Sequence, residues 1–352
     1  MAELKQCSGK PHFYFIDSIT HIVLGACIGE ALLEKKLGKR AMFLGALAQS
    51  IPDIDFIAAF WNDPASNLLV HRGFTHSLFF AVIGVCFFGL LAEHFHRRHK
   101  VGFKIWVVFF SVEIGAHLFL DLFNNYGMGL WEPFNHYRIS FNVIYVADPF
   151  FSICAGLSFL MLLFLKRKDR RRAFWWKFGI TIPAFYLLYC VFNKLIIDTE
   201  TRSALANEKI VYNQYFTTPT PLNNWLWYVV AGDSNGFYIG FRSVFDNDLK
   251  MNFHYFPKRD SLLGSIKDHE EVQKLLRFSQ GFYTVEKWND TLVFNDLRFG
   301  QIVGWYDPGE HFVFHYFLQH SPEDNRLVVQ RGRFANWDMN SMKSLWMRIK
   351  GN

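Results

Sequence analysis

Imidazole and carboxylate side chains recur at short intervals in the apolar first half of the chain. The candidate metal ligands among them are Asp17, His21, Asp53, Asp55, His71, His76, His117 and Asp121. Ionisable groups are rare within membrane-spanning segments and mark functional sites there. Mixed imidazole and carboxylate ligands suit zinc, manganese or iron. The sequence therefore predicts a site for a divalent metal, with zinc preferred and one to three ions bound.

Three further residues are candidates for catalysis rather than for metal binding. Glu113, His117 and Asp121 recur every four residues and share one helix face, with Glu113 roughly one turn deeper in the membrane. Glu113 and Asp148 are carboxylates that could act as general bases. Arg72 could grip a phosphate, as could Arg138. Since metal-bound water is acidified to a pKa of about 7, this set predicts hydrolysis of a phosphate ester.

The elements that must position these groups are apolar stretches of the length that crosses a bilayer, about 20 residues. They cover residues 18–33, 41–60, 73–94, 103–124, 144–165 and 174–198. The first is the weakest, because it is short and contains ionisable residues. The sequence predicts a mainly α membrane domain of about six transmembrane helices in residues 1–198.

Basic residues are concentrated in every second loop, at 35–40, 97–104 and 166–172. The positive-inside rule places these loops in the cytoplasm and the remaining loops outside. Spans one, three and five then carry their polar residues near their beginnings, and spans two and four near their ends. Each polar set is therefore expected at the same outer level of a bacterial inner membrane, where a membrane lipid or a lipid-like phosphoester is the expected substrate.

After residue 198 the sequence changes character. Prolines and glycine turns separate short aromatic or β-branched runs, namely WLWYVVAG, FYIGFRSVF, FYTVEKW, TLVFNDLRFG and HFVFHYFLQH. Such runs predict antiparallel strands. Residues 199–352 are predicted to form a β-rich soluble domain outside the membrane. The net charge of +6 comes from the basic loops, so a nucleic-acid partner is not expected.

Several motifs resemble the YdjM family of membrane-bound metal-dependent hydrolases. They are DSITHIVLG, G-x-L-A-x-S-I-PDID, HRGFTHS, HLFLD and VFNDLRFG. That family is distantly similar to zinc-dependent phospholipase C. The resemblance implies that His21, Asp53, His76, His117 and Asp121 are metal ligands. The chain lacks the phospholipase group's His-x-x-x-Glu helix and its metal-binding N-terminal amine, so the resemblance leaves the number of ions open.

Other interpretations of the same residues remain open. His117 and Asp121 could form an interhelical hydrogen bond, and Asp53 could satisfy backbone freed by Pro52. Carboxylates and histidines within spans also mark metal or proton transport. Ser77 stands beside His76, although adjacent helical residues point about 100° apart, which disfavours a serine–histidine pair. A scaffold whose β domain binds a partner would leave the His and Asp residues unexplained.

Overall fold

The computed structural model describes residues 15–326, 328 and 334–351, with side chains from residue 18 onward. The first half of the chain is helical. Its α-helices are α1 (Phe15–Leu37), α2 (Arg40–Gln49), α3 (Pro64–Val70), α4 (Leu78–Phe95), α5 (Phe103–Asp121), α6 (Pro149–Phe164) and α7 (Arg171–Asn207). Short 3₁₀ segments lie at Pro52–Phe60, Phe74–His76 and Arg97–His99.

The expected count of six spans is not confirmed. Within the described residues, α4, α5 and α7 are long and apolar enough to cross a membrane. A fourth span exists if α2 and the Pro52–Phe60 segment, which meet at an angle of 59°, are counted together. The proline explains the bend, because it cannot donate a helical hydrogen bond. The sixteen residues of α6 are apolar but short, and α1 is not among the candidate spans of the described residues.

Helices α1 and α2 approach so closely that their backbones touch. An ideal Cβ on Gly45 would lie 2.0 Å from the carbonyl oxygen of Gly25 and 2.8 Å from the Cα of Gly29. Only glycine fits at such a contact, as at many helix crossings in membranes. This contact fixes the position of α2 and hence of the Pro52–Phe60 segment that follows it.

The end of the bundle at which Asp121 ends α5 is called the site end below. A buried ion pair lies toward the opposite end, where Arg172 Nε donates to Glu30 Oε1 over 2.7 Å. Arg172 also donates to the carbonyl of Leu162 over 2.6 Å. Buried polar groups are therefore also found in the half of the bundle away from the site end. Glu30 and Arg172 are not among the residues that the sequence predicted to be functional.

Helix α7 has 37 residues and is roughly 55 Å long at 1.5 Å per residue. This exceeds the roughly 30 Å of a hydrocarbon core. The helix continues past the predicted domain boundary at residue 198, and its last turns pack on the first sheet through Ala204, Val229 and Met251.

The second half of the chain contains two antiparallel sheets, as predicted. The first has the order β1 (Gln214–Pro219), β2 (Leu226–Gly232), β3 (Gly236–Ser243) and β4 (His254–Pro257). The second has β5 (Tyr283–Trp288), β6 (Thr291–Gln301) and β7 (Phe312–Phe317). Each of the five predicted runs overlaps one of these strands, namely β2, β3, β5, β6 or β7. Helices α8 (Glu270–Ser279) and α9 (Met339–Ile349) were not expected from the sequence.

The second sheet and α8 pack against the site end of the helical half. Their shared core contains Ala65 and Leu68 of α3 and Tyr126 of the segment between α5 and α6, together with Val272, Leu275 and Phe278 of α8. Asn125 also donates to the carbonyl of Arg298 over 2.7 Å. The two halves are therefore joined by both apolar packing and hydrogen bonds next to the candidate site.

Candidate metal centre

His117 stands at the centre of the candidate site and is fully buried on α5. Its Nδ1 lies 2.6 Å from the backbone carbonyl oxygen of Gln49. Because a carbonyl can only accept, Nδ1 carries the proton and Nε2 of the neutral ring keeps its lone pair. Such a hydrogen bond on the far nitrogen is typical of histidines that bind metal. The Gln49 contact thus turns Nε2 toward the neighbouring acidic groups.

One group of candidate ligands combines α1 with α5. It consists of His21, His117 and Asp121, whose ligand atoms all lie within 4.8 Å of one another. His21 Nε2 is 3.2 Å from Asp121 Oδ1, and the rings of His21 and His117 stack at 3.9 Å between centroids. The three side chains are buried. Helix α1 thus contributes one ligand to this group.

A second group shares His117 with the first. It consists of Asp53, His76 and His117. Both imidazole Nε2 atoms lie 3.6 Å from Asp53 Oδ1, and they are 3.2 Å from each other. His76 Nε2 is also 3.3 Å from Asp121 Oδ2. Four elements therefore converge to form one His/Asp cluster, which consists of His21, Asp53, His76, His117 and Asp121.

The spacing of these atoms fits a metal site. Tetrahedral zinc with bonds of about 2.1 Å separates its ligand atoms by about 3.4 Å. The separations in the cluster, 3.2 to 3.6 Å, bracket that value. Imidazole nitrogen and carboxylate oxygen are also the donors that zinc, manganese and iron accept. The residues present therefore fit a divalent metal by donor chemistry and by spacing.

Asp55 and His71 adjoin the cluster. His71 Nδ1 is 3.3 Å from Asp55 Oδ1, and Asp55 Oδ2 accepts from the backbone N–H of Arg72 over 2.7 Å. Burial alone would lower the pKa of His71, but the Asp55 carboxylate outweighs it and the pKa is raised. Asp55 Oδ2 is also 3.5 Å from His76 Nδ1. Asp55 therefore helps to orient the rings of His71 and His76 and the backbone at Arg72.

Arg72 points into the cluster rather than into a water-filled loop. Its Nη2 lies 3.3 Å from Asp121 Oδ1 and its side chain is 2% exposed. Its backbone has a φ of +56°, an uncommon value for a residue with a side chain. The guanidinium partly neutralises the carboxylates that meet there.

Arg138 holds this strained turn in place. It is buried, and its guanidinium donates to the carbonyls of Leu69 (3.1 Å), His71 (2.7 Å) and Gly127 (2.8 Å). Burial lowers its pKa to about 10, so the side chain remains charged at neutral pH. The sequence offered it as a phosphate-binding residue on charge alone, whereas in the structure both terminal nitrogens of its guanidinium donate to the protein backbone.

Three remaining candidates lie away from the cluster or outside the description. The side chain of Asp17 falls outside the described residues. Glu113 is fully buried one helical turn inward from His117. Asp148 caps α6 by accepting from Phe150 N over 2.8 Å. It shares a small cavity of about 30 Å³ with His21 and Asp121, enough room for about two water molecules. The catalytic roles of Glu113 and Asp148 stay predictions.

The cluster has one partly open side. Asp53 and His71 have side chains that are 17% and 18% exposed, whereas the other candidate ligands with described side chains are almost fully buried. The Pro52–Phe60 segment that carries Asp53 also presents Phe56 and Phe60 as exposed apolar side chains. The approach to the cluster is therefore bordered by apolar surface.

A bundle with apolar spans and a buried His/Asp cluster defines an integral membrane protein with a candidate metal centre. The YdjM inner membrane protein family matches residues 16–197, which include the whole cluster. The chain belongs to this family.

Two curated proteins resemble the chain. The uncharacterized protein YfhP of Bacillus subtilis (strain 168) is 25% identical over 303 residues, which cover 81% of this chain and 87% of YfhP. The inner membrane protein YbcI of Escherichia coli (strain K12) is 32% identical over 112 residues, 32% of this chain and 63% of YbcI. No solved structure matches the chain significantly.

Proposed function

We propose that this protein is a membrane-bound metal-dependent hydrolase that uses activated water to cleave phosphoester or phospholipid-like substrates. The observation that carries the proposal is the pair of ligand groups that share His117. A divalent metal held there would supply a Lewis acid and acidify a bound water. His21, Asp53, His76, His117 and Asp121 would hold it.

The surrounding residues have roles that follow from their contacts. Arg72 offsets the negative charge of Asp121 and lies close enough to the cluster to interact with an anionic substrate group. Asp55 keeps His71 oriented at the partly open side. A phosphate that enters past Asp53 and His71 would meet imidazoles and a guanidinium rather than bulk water.

The substrate class is supported by the apolar border of the cluster. Phe56 and Phe60 are exposed on the segment that carries Asp53. A lipid could rest its chains against this surface while its headgroup reaches the cluster. The bacterial inner membrane supplies such lipids, and the basic loops favour a site on its outer face.

The direct test is metal analysis of detergent-purified protein combined with hydrolysis of a generic phosphodiester and of phospholipids. His76→Ala and Asp121→Ala should each reduce bound metal and activity, because losing one ligand leaves buried charges uncompensated. The matched control is His94→Ala, at an exposed position on α4 away from the cluster. Metal content and activity equal to wild type in both cluster variants would refute the assignment.

The orientation needs its own experiment. Asn235 lies on the exposed turn between β2 and β3. A cysteine placed there by Asn235→Cys should react with a membrane-impermeant label in intact cells. Labelling only after lysis would place the cluster at the cytoplasmic face.

Metal or proton transport is the second candidate. The buried Glu30–Arg172 pair favours it, since polar groups continue toward the end of the bundle opposite the cluster. Metal uptake into proteoliposomes without hydrolysis of any ester would support transport over the hydrolase.

A further inference from the structure

Glu113 and Gln49 are two buried polar side chains that neither the cluster nor the helix packing uses. Both are fully buried. Among the described residues, neither carboxylate oxygen of Glu113 has a hydrogen-bond partner, and neither do the side-chain oxygen and nitrogen of Gln49. Buried polar atoms are rarely left this way, because a buried group that makes no hydrogen bond has lost its contacts with water without replacement. Two such groups together indicate a bound species.

The two side chains occupy the same part of the bundle. An ideal Cβ on Gly45 would lie 2.8 Å from Glu113 Oε1, and one on Gly25 would lie 2.8 Å from Gln49 Oε1. Gly25 and Gly45 themselves touch across the α1–α2 contact. The glycines therefore make the space that both polar groups share.

Among the described residues, no hydrogen-bonded cation offsets a negative charge on Glu113. The thiol of Cys27 on α1 lies near both Glu113 and Glu30. Glu30 has Arg172 as its counter-ion, at 2.7 Å. His117 lies one turn toward the site end with its Nδ1 occupied by the Gln49 carbonyl. The buried residues of α4 are small or apolar.

An ionised carboxylate without a counter-ion has a high free energy in a buried apolar environment. Such a group binds a proton and becomes neutral. A metal cation is a poorer fit, because one carboxyl and one amide supply too few oxygen ligands for a hard cation. A protonated carboxyl can donate to an amide oxygen, which is what Gln49 offers.

We propose that Glu113 and Gln49 form a proton-binding site one helical turn inward from the His/Asp cluster, with Glu113 as a neutral acid hydrogen-bonded to the Gln49 amide. The site lies between the cluster and the Glu30–Arg172 pair. It would hold its proton whichever activity the cluster has, so its test does not depend on hydrolysis.

Infrared spectroscopy of the purified protein at neutral pH tests the site, because a carboxylic acid and a carboxylate absorb at different frequencies. The wild-type spectrum should contain a carboxylic-acid band that shifts in D₂O and is lost in Glu113→Gln. The matched control is Glu34→Gln on the same helix as Glu30. Glu34 is partly exposed and lies 3.9 Å from Arg167, so its substitution should leave the band unchanged.

A second variant keeps Glu113 in place. Gln49→Leu removes the acceptor but not the acid, so the band should remain and move to the higher frequency of an acid without a hydrogen bond. A wild-type spectrum without an acid band would overturn the proposal. An undiminished band in folded Glu113→Gln, or an unmoved band in Gln49→Leu, would do the same.

Discussion

Replacing Arg138 should loosen the metal centre although this residue does not touch the cluster. Three of its hydrogen bonds to backbone carbonyls hold the chain from Leu69 to His71 against Gly127. A hydrogen bond from a charged donor contributes about 1.5–3 kcal/mol. The two short bonds at the low end of that range give about 3 kcal/mol, and the third adds less because water can replace it in part. Arg138→Met, which keeps most of the apolar volume, should therefore destabilise the protein by about 3 kcal/mol.

The effect on metal binding should be larger than a general loss of stability would give. His71 and Arg72 lie on the turn that Arg138 fixes, and residues that orient metal ligands typically change affinity about 10–100-fold. Thermal unfolding in detergent and an equilibrium zinc titration measure the two effects.

Arg277→Met is the control for the Arg138 variant. This arginine is 44% exposed and pairs with Glu132 at 3.3 Å, a surface ion pair that contributes under about 1 kcal/mol. If Arg138→Met kept wild-type stability and zinc affinity, the role of Arg138 in holding the turn would be wrong.

Three other perturbations have definite expected outcomes. Ser77 caps α4 by accepting from Phe80 N over 3.0 Å, so Ser77→Ala should cost about 1 kcal/mol in a thermal unfolding assay but leave turnover intact; chelator-resistant activity lost in this variant would instead indicate a serine nucleophile. Gly45→Ala should prevent folding or purification, because its Cβ would overlap Gly25, whereas Gly115→Ala, with nothing within 4 Å, should be harmless by the same measure. Zinc affinity should fall steeply as the pH drops from about 7 to 5, because protons compete for imidazole ligands; an affinity independent of pH in that titration would argue against histidine ligation.

The stripe on α5 could be predicted because a helix makes distant sequence positions neighbours in a fixed way. Residues four apart share a face, so His117 and Asp121 had to lie together once α5 was recognised. No such local rule predicts the positions of Asp53 and His76, which lie on other segments of the chain. Their meeting with His117 depended on the assumption that polar ends of alternating spans share one level, and the structure brings the three together at 3.2 to 3.6 Å.

The count of six spans is not confirmed, and the packing and bending of the helices bear on it. Hydropathy measures whether a segment is apolar, but it does not show whether the segment bends or how much of it is covered by other helices. Most of α1 is buried, including Glu30 with its arginine partner. Pro52 then ends the helical hydrogen-bond pattern of α2, so a stretch that reads as one span bends by 59°. That bend places Asp53 and Asp55 at the cluster.

The sequence could not show that Arg138 supports the turn at Arg72. An arginine in a loop can bind a phosphate or backbone carbonyl oxygens, and its position in the sequence does not distinguish the two. The structure decides between them by what packs behind the turn. Gly129 N donates to the Arg72 carbonyl over 2.8 Å, and Gln280, next to α8, donates to the Arg138 carbonyl over 3.2 Å. Arg138 in turn donates to the carbonyl of His71. A chain of hydrogen bonds thus runs from the β-rich half to the residues that border the cluster, and the second half of the protein helps to hold the candidate metal centre in shape.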